Sequence, residues 1–509
     1  MLSKEIKFLL THSSIYGLGT VVSQIVAFLL LPLYTRYFTP SDYGVMSTVE
    51  VSIGIIGLVV TIGIARSLSR FYYESEKEIE RNRVLSTAYV TYAVIACLSL
   101  PLLLWISNPL GKILLGSGNY GRLFTISFIS LGLGGMIDIG MMYLRLIKKP
   151  TIFITITITR LLLLIAFNVF FIVHLQWGVL SIFVSSLIAN ILYASLLTTL
   201  ILNKTKVNFS LHTSIEMLKY GLPIIPSSLG STVVKQSDKY FVLYFMSLAD
   251  MGIYSLALKF GNAVHNLLTI PFNMAYIPRR FEIMNRTDAK EIYSKIFTYY
   301  IFTVGYIGLA LSLLIPEILQ VMVTPEFFSA GKIVPLVVLS MVIFGCQYHF
   351  DFGILHSKKT KYLAYINVGC SAVQIGLNLV LIKSYGMWGA VWSSIISLGL
   401  QTSLFYIVSD KLYRISYEFG RIGLYMVVAC LFYGISTQLH TGIILGEIGI
   451  KLLLLILFPV AAIKLKIISQ EEVTKLKEIY HSHIKSRLFK PVVTKKSIIE
   501  KTYRSENLP

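Results

Sequence analysis

Residues 148–200 read KKPTIFITITITRLLLLIAFNVFFIVHLQWGVLSIFVSSLIANILYASLLTTL, and residues 358–408 read KKTKYLAYINVGCSAVQIGLNLVLIKSYGMWGAVWSSIISLGLQTSLFYIV. Each stretch is a lysine pair, an apolar span, a short Trp-Gly element and a second apolar span. Lys148-Lys149 recurs as Lys358-Lys359 and Asn168 as Asn378, both 210 residues on, and Trp177-Gly178 recurs as Trp388-Gly389, 211 residues on. A helical pair has been used twice. The chain therefore reads as a duplicated membrane bundle, a common build for transporters.

The same texture extends to both sides of this pair. Hydrophobic residues make up 55% of the 509 and charged residues only 14%, with a mean hydropathy of +0.72. Apolar runs of roughly 20 residues recur from end to end, each able to cross a hydrocarbon core of about 30 Å. The runs are continuous rather than alternating, which excludes a membrane β-barrel. About fourteen are counted by this criterion. The expected fold is all-α: a polytopic membrane bundle of two pseudo-symmetric six-helix lobes with two extra C-terminal helices. The boundaries fall at 1–203 (N-lobe, helices 1–6), 204–409 (C-lobe, helices 7–12), 410–466 (helices 13 and 14) and 467–509 (a basic cytoplasmic tail).

Smaller echoes keep the same register. Tyr220-Gly221-Leu222 repeats Tyr16-Gly17-Leu18, and Asp250-Met251-Gly252 stands where Asp42-Tyr43-Gly44 stood, 208 residues earlier. An even number of spans separates the copies, so both halves face the same way through the membrane. Their pseudo-two-fold axis then lies along the membrane normal, with a cavity between the lobes.

The net charge of +20 is placed by membrane topology. Lys and Arg gather in every second loop, as at Arg66, Arg70, Lys77, Arg81 and Arg83, then Arg145, Lys148 and Lys149, then Arg279, Arg280, Arg286 and Lys290. That alternation puts both termini of a multi-pass membrane protein in the cytoplasm and argues against nucleic acid as partner. Cys97, Cys346, Cys370 and Cys430 fall inside apolar spans without metal-ligand spacing and read as small core residues. No phosphate loop, zinc motif or nucleophile elbow occurs, so no enzyme is expected. His349 with Asp351, the nearest approach to a histidine cluster, reads as a helix–helix contact.

Ionisable residues inside the spans are more informative. Each costs about 2.5–3.5 kcal/mol at the bilayer centre and should face the protein interior or a wet cavity. The first copy has Arg36, Glu50, Asp138 and Arg160; the second has Lys235, Asp238, Lys239, Lys259 and Asp351. Lys235, Asp238 and Lys239 share one helical face. They read either as an ion pair holding their helix in place or as a cationic wall for an anionic substrate. Arg36 and Arg66 read as lumen cations or as anchors snorkelling to headgroups. Glu50 and Asp138 are candidates for proton or Na⁺ coupling, and Asp238 for pairing. Pro223, Pro226 and Gly230 interrupt one span, and Gly54 and Gly57 another, as at transporter hinges.

The run YGLGTVVSQIVAFLLLPLYTRYFTPSDYG at 16–44, KQSDKY at 235–240 with DMGIYSLALKF at 250–260, and the twice-used lysine, asparagine and Trp-Gly pattern resemble bacterial polysaccharide (Wzx-type O-antigen) flippases. These belong to the multidrug/oligosaccharidyl-lipid/polysaccharide (MOP) exporter superfamily. The resemblance implies twelve to fourteen helices in two lobes. It implies translocation of an undecaprenyl-diphosphate-linked oligosaccharide, an O-antigen or other lipopolysaccharide or surface-polysaccharide repeat unit, to the periplasmic leaflet by alternating access. It also implies cationic lumen residues, for which Arg36, Lys235, Lys239 and Lys259 are the matching positions, with Arg66 and Arg160 beside them. No cofactor is implied beyond possible H⁺ or Na⁺ coupling. The implied partners are the lipid-linked substrate, membrane lipids, a polysaccharide polymerase and a chain-length regulator. A drug/cation antiporter of the same superfamily is the nearest alternative, and a membrane-embedded glycan polymerase or acyltransferase a more distant one.

Overall fold

Lys148 and Lys358 adopt the same uncommon backbone conformation, with φ of 54° and 56°. In both copies a helix ends there, and the following lysine closes the turn: Lys149 N–H donates to Leu144 O at 3.0 Å and Lys359 N–H to Ile354 O at 3.1 Å. A left-handed residue just past a helix satisfies carbonyls that the helix leaves open. The repeat in the sequence is thus a repeat in backbone geometry. The Trp-Gly elements differ. Gly178 forms a turn with φ +58°, whereas Gly386 (φ +57°) makes the turn in the second copy and Gly389 enters the next helix.

This computed structural model describes residues 24–26, 28–74, 77–439, 444–468, 472 and 474. The echo at Tyr16-Gly17-Leu18, much of the first span and nearly all of the basic tail lie outside them. The helices are α1 (Leu31–Tyr37), α2 (Pro40–Val60), α3 (Ile64–Glu74), α4 (Glu78–Leu115), α5 (Gly121–Leu146), α6 (Pro150–Val169), α7 (Leu180–Thr205), α8 (Leu211–Gly221) and α9 (Ile224–Phe245). They continue with α10 (Leu248–Val264), α11 (Ile270–Glu282), α12 (Ala289–Met322), α13 (Val334–Phe350), α14 (Phe352–His356), α15 (Lys361–Tyr385), α16 (Met387–Leu412), α17 (Phe419–Gln438) and α18 (Ile444–Lys464).

Eleven helical stretches among the described residues are long and apolar enough to cross a membrane, against the fourteen or so expected. Much of the first expected span lies outside the described residues, and the rest of the difference has a physical reason. α9, read as a span, carries Lys235, Asp238 and Lys239, while α10 and its continuation carry Lys259, Asn262, His265 and Asn266. These helices are long enough to cross but too polar to pass as lipid-facing segments. By contrast, α4 leaves Leu98 and Trp105 75% and 74% exposed, as suits a helix whose outer surface meets lipid.

The helices pack in two groups. In one, α5 lies on α4 and α7, and α6 on α7; in the other, α13 and α15 lie on α16, α9 on α15 and α12 on α13. α17 and α18 are fastened to α12 by Tyr425 O–H donating to Phe302 O at 2.7 Å, by Tyr306 O–H donating to Leu455 O at 3.0 Å and by a buried Lys451–Glu317 ion pair. The broadest contact between the groups is α2 against α10.

Candidate functional site

α2 and α10 begin alike. Thr39 caps α2 in a reciprocal capping box with Asp42, and Ser247 accepts from Asp250 N–H at the start of α10, each satisfying a backbone donor that the helix start leaves free. The two starts press together at the end of the molecule opposite the basic loops. Gly44 of α2 lies against the Leu248 carbonyl, and Gly252 of α10 against the Pro40 carbonyl. Only glycine permits that approach.

One to two turns further along, charged side chains from both groups converge. Glu50 of α2 lies within electrostatic reach of Lys239 of α9 and Lys259 of α10. The Lys259 ammonium stands 5.8 Å from the Tyr34 ring centroid. Glu50 is solvent-exposed and both lysines are partly so, although all three lie in mid-helix. Three accessible charges from three helices within electrostatic reach of one another point to a gap between the helices rather than a lipid-facing surface. Asp238 is only 2% exposed; it accepts from the Tyr254 hydroxyl and, at 2.9 Å, from Lys239 N–H. It also lines the cavity beside Lys239 and is that lysine's foremost counter-charge, ahead of Glu50, so the three lysines Lys235, Lys239 and Lys259 stand against two acids.

The gap continues into the second group of helices. A cavity of about 320 Å³ is lined by Lys235, Lys239, Asn262, His265, Asn266 and Ser340, among others. His265 opens a π-helical turn, 265–269, just before Pro271. Such turns re-aim side chains where a helix meets a site. A second cavity of about 200 Å³ adjoins it across Lys235 and Phe344, toward the basic-loop end.

The remaining candidates separate. Asp138 and Arg66 line a cavity of about 160 Å³ between the two groups, closed on one side by Ile225 and Ser228 of α9. Arg160 donates to Asn190 at 2.7 Å, and Asn190 in turn donates to the Ser130 hydroxyl at 2.7 Å. Asp138 lies within electrostatic reach of Arg160. Arg36 is exposed at the last turn of α1, outside the linings of these cavities.

The sequence pattern also missed residues. Arg280, which reads as a loop cation, is 1% exposed and donates to Asp351 at 2.8 Å and to the Tyr348 carbonyl. Asp351 is thereby paired with Arg280, not with His349, which is enclosed by the rings of Phe272, Tyr276, Phe297 and Tyr300 at 4.8–5.8 Å. Asn262, His265 and Asn266 escaped notice because lone polar residues in a span carry no spacing signal. Among the described residues no group of three or more His, Cys, Asp or Glu side chains could hold a metal ion.

Comparison with known proteins agrees with this architecture. The profile of the family described as "Polysaccharide biosynthesis protein" matches residues 9–284. An uncharacterized membrane protein of Haemophilus influenzae is 22% identical over 371 residues, covering 72% of this chain and 89% of its own. The Lsg locus putative protein 1 of the same organism is 25% identical over 283 residues, 54% of this chain and 66% of its own. Among solved structures, the lipid II flippase MurJ in an inward closed conformation superposes with a TM-score of 0.70 at 16% identity, covering 87% of this chain and 98% of its own. An inward-facing multidrug-resistance MATE transporter of the MOP superfamily superposes with a TM-score of 0.65 at 12% identity, covering 76% and 94%. A family profile that matches more than half of the chain identifies it: this multi-pass membrane protein, whose fold is shared with the MurJ flippase and a MATE transporter, belongs to the polysaccharide biosynthesis protein family.

Proposed function

We propose that this protein moves an undecaprenyl-diphosphate-linked oligosaccharide, the repeat unit of an O-antigen or other surface polysaccharide, from the cytoplasmic to the outer leaflet of the bacterial inner membrane. The observation that carries this reading is that Lys239 and Lys259, from two helices, both lie within electrostatic reach of Glu50, with Asp238 the other acid beside Lys239. A diphosphate entering there meets two ammonium groups and can displace one carboxylate as their counter-charge. The helix starts packed at Gly44 and Gly252 close the end opposite the basic loops. On the charge rule that end is the outer one, so the shape favours loading from the cytoplasm and release by alternating access. Transport, not bond-making, is the chain's task on this reading. Glu50 or Asp138 would couple it to H⁺ or Na⁺, and a polymerase with its chain-length regulator would consume the product.

An antiporter for cationic drugs fits less well, because a cationic ligand would face Lys235, Lys239 and Lys259 together. The deciding experiment deletes the gene and follows surface glycan on gels, with complementation by wild type and by K239Q/K259Q. Loss of long-chain glycan, restored by wild type and not by the double variant at equal membrane abundance, is the expected result. Wild-type glycan in the deletion strain would overturn it.

A further inference from the structure

We propose that the pocket among α9, α13, α15 and α16, on the basic-loop side of Lys235, receives a single carboxylated sugar ring of the transported glycan. This rests on the flippase reading and adds to it which part of the substrate the second group of helices recognises.

The pocket is a half-open space of about 200 Å³, on the scale of one ring rather than a chain. Two charged residues line it, Lys235 and Asp351; Arg280 neutralises Asp351, which leaves Lys235 as the cation without a counter-charge. Lys235 forms no ion pair or hydrogen bond among the described residues; its ammonium stands 4.4 Å from the Phe344 ring centroid. One such cation suits one carboxylate, whereas the diphosphate finds two at Lys239 and Lys259. Beside it runs a relay of amides. Gln347 Nε2 donates to Gln401 Oε1 at 2.5 Å, and Gln401 Nε2 donates to Asn367 Oδ1 at 2.8 Å. The relay fixes the orientation of all three side chains. It leaves donors on Asn367 and acceptor capacity on Gln347 for hydroxyl groups. The apolar faces of Phe344, Tyr348 and Phe405 complete the lining, which suits the C–H face of a pyranose. A mostly apolar wall with a few oriented polar groups is how small-molecule sites gain specificity.

Register links this pocket to the diphosphate site. Lys235 and Lys239 are four residues apart on α9, about 6 Å along the axis. A sugar attached directly to a diphosphate held at Lys239 and Lys259 therefore reaches Lys235 without stretching. The sequence could not show this, since Gln347, Asn367 and Gln401 lie on three different helices.

The test uses the purified full chain and follows its thermal unfolding with sodium glucuronate, glucose or inorganic pyrophosphate at matched ionic strength. Glucuronate should stabilise the wild type and glucose should not. K235Q should weaken glucuronate about tenfold or more, as for loss of a charge-assisted contact, and leave pyrophosphate unchanged. N367L, which keeps the charge, should weaken glucuronate as well, and K239Q/K259Q should lose pyrophosphate only. Equal stabilisation by glucose, no stabilisation by glucuronate, or full glucuronate binding by both K235Q and N367L would overturn the pocket. Failure of pyrophosphate alone would instead strike the diphosphate reading and leave the sugar site standing.

Discussion

Gly44 and Gly252 occupy equivalent places, 208 residues apart, and each touches the residue that is the other's neighbour by the same offset. A Cβ on Gly44 would lie 1.9 Å from Leu248 O, and a Cβ on Gly252 would lie 1.9 Å from Pro40 O. Pro40 and Leu248 are themselves 208 apart. A contact that maps onto itself under exchange of halves is what a two-fold axis requires. The pseudo-symmetry axis therefore passes between these two helix starts, which places the tightest backbone seam at one end of the gap.

G44A and G252A should open that seam. The added methyl meets a carbonyl oxygen that cannot move without its helix, and overpacking of this kind costs about 1–3 kcal/mol. The cost falls on the closed arrangement alone, so the population open at that end should rise about tenfold or more. Labelling of N262C by a membrane-impermeant maleimide from outside the cell, in a cysteine-free background, reads the shift. Labelling rates unchanged in both variants would exclude this contact as a gate.

Arg280 and Asp351 form a separate, deeper dependency. Arg280 also donates to the Tyr348 carbonyl, and its own carbonyl accepts from Tyr293 O–H at 2.6 Å. Breaking a buried pair by removing one partner costs about 3–5 kcal/mol, because the remaining charge stays uncompensated. R280M and D351L should each sharply lower the yield and thermal stability of purified protein. The double variant should recover part of the loss, and a double variant worse than either single change would contradict the account.

How far the sequence revealed this molecule depends on the kind of signal. The paired lysines announced a repeat that extends to the φ angles of Lys148 and Lys358, because helix ends demand particular local residues. The charges of α9 and α10 were visible as anomalies in apolar spans, and Lys239 and Lys259 lie within electrostatic reach of Glu50. Arg280 was misplaced among loop cations, since the charge rule cannot tell a residue at the membrane border from one turned inward by α11. The amide relay of Gln347, Gln401 and Asn367 left no trace, because long-range contacts between helices have no period along the chain.

Asp288, at the basic-loop entrance to α12, supplies a pH test outside the membrane. Arg286 grips it with two bonds, Nε to Oδ1 at 2.9 Å and Nη2 to Oδ2 at 2.8 Å. These hydrogen bonds hold the Asp288 carboxyl below the usual carboxylate range. A folded-state value below the unfolded one means the stabilisation is present above the unfolded pKa and is lost as pH falls through the folded one. D288N should therefore lower thermal stability slightly at neutral pH, with the difference from wild type shrinking as the carboxylate protonates in acid. A difference that grows on acidification would refute the sign.

Glu50 offers the sharpest test of the gap itself. It lies within electrostatic reach of both Lys239 and Lys259 and is the counter-charge of Lys259, while Asp238 shares Lys239, so an anion binding between the lysines competes with it. E50Q removes the competitor and keeps the shape, and inorganic pyrophosphate should bind roughly threefold to tenfold more tightly, an effect that weakens as salt screens the partly wetted charges. Transport should nevertheless slow. A ligand held more strongly in one conformation biases the protein toward that conformation and away from the one that releases it. Tighter pyrophosphate binding in a titration of purified E50Q, joined to reduced surface glycan in complemented cells, is the expected pair. Unchanged or weaker pyrophosphate binding would mean that Glu50 does not guard the anion site, and the two lysines would need another role.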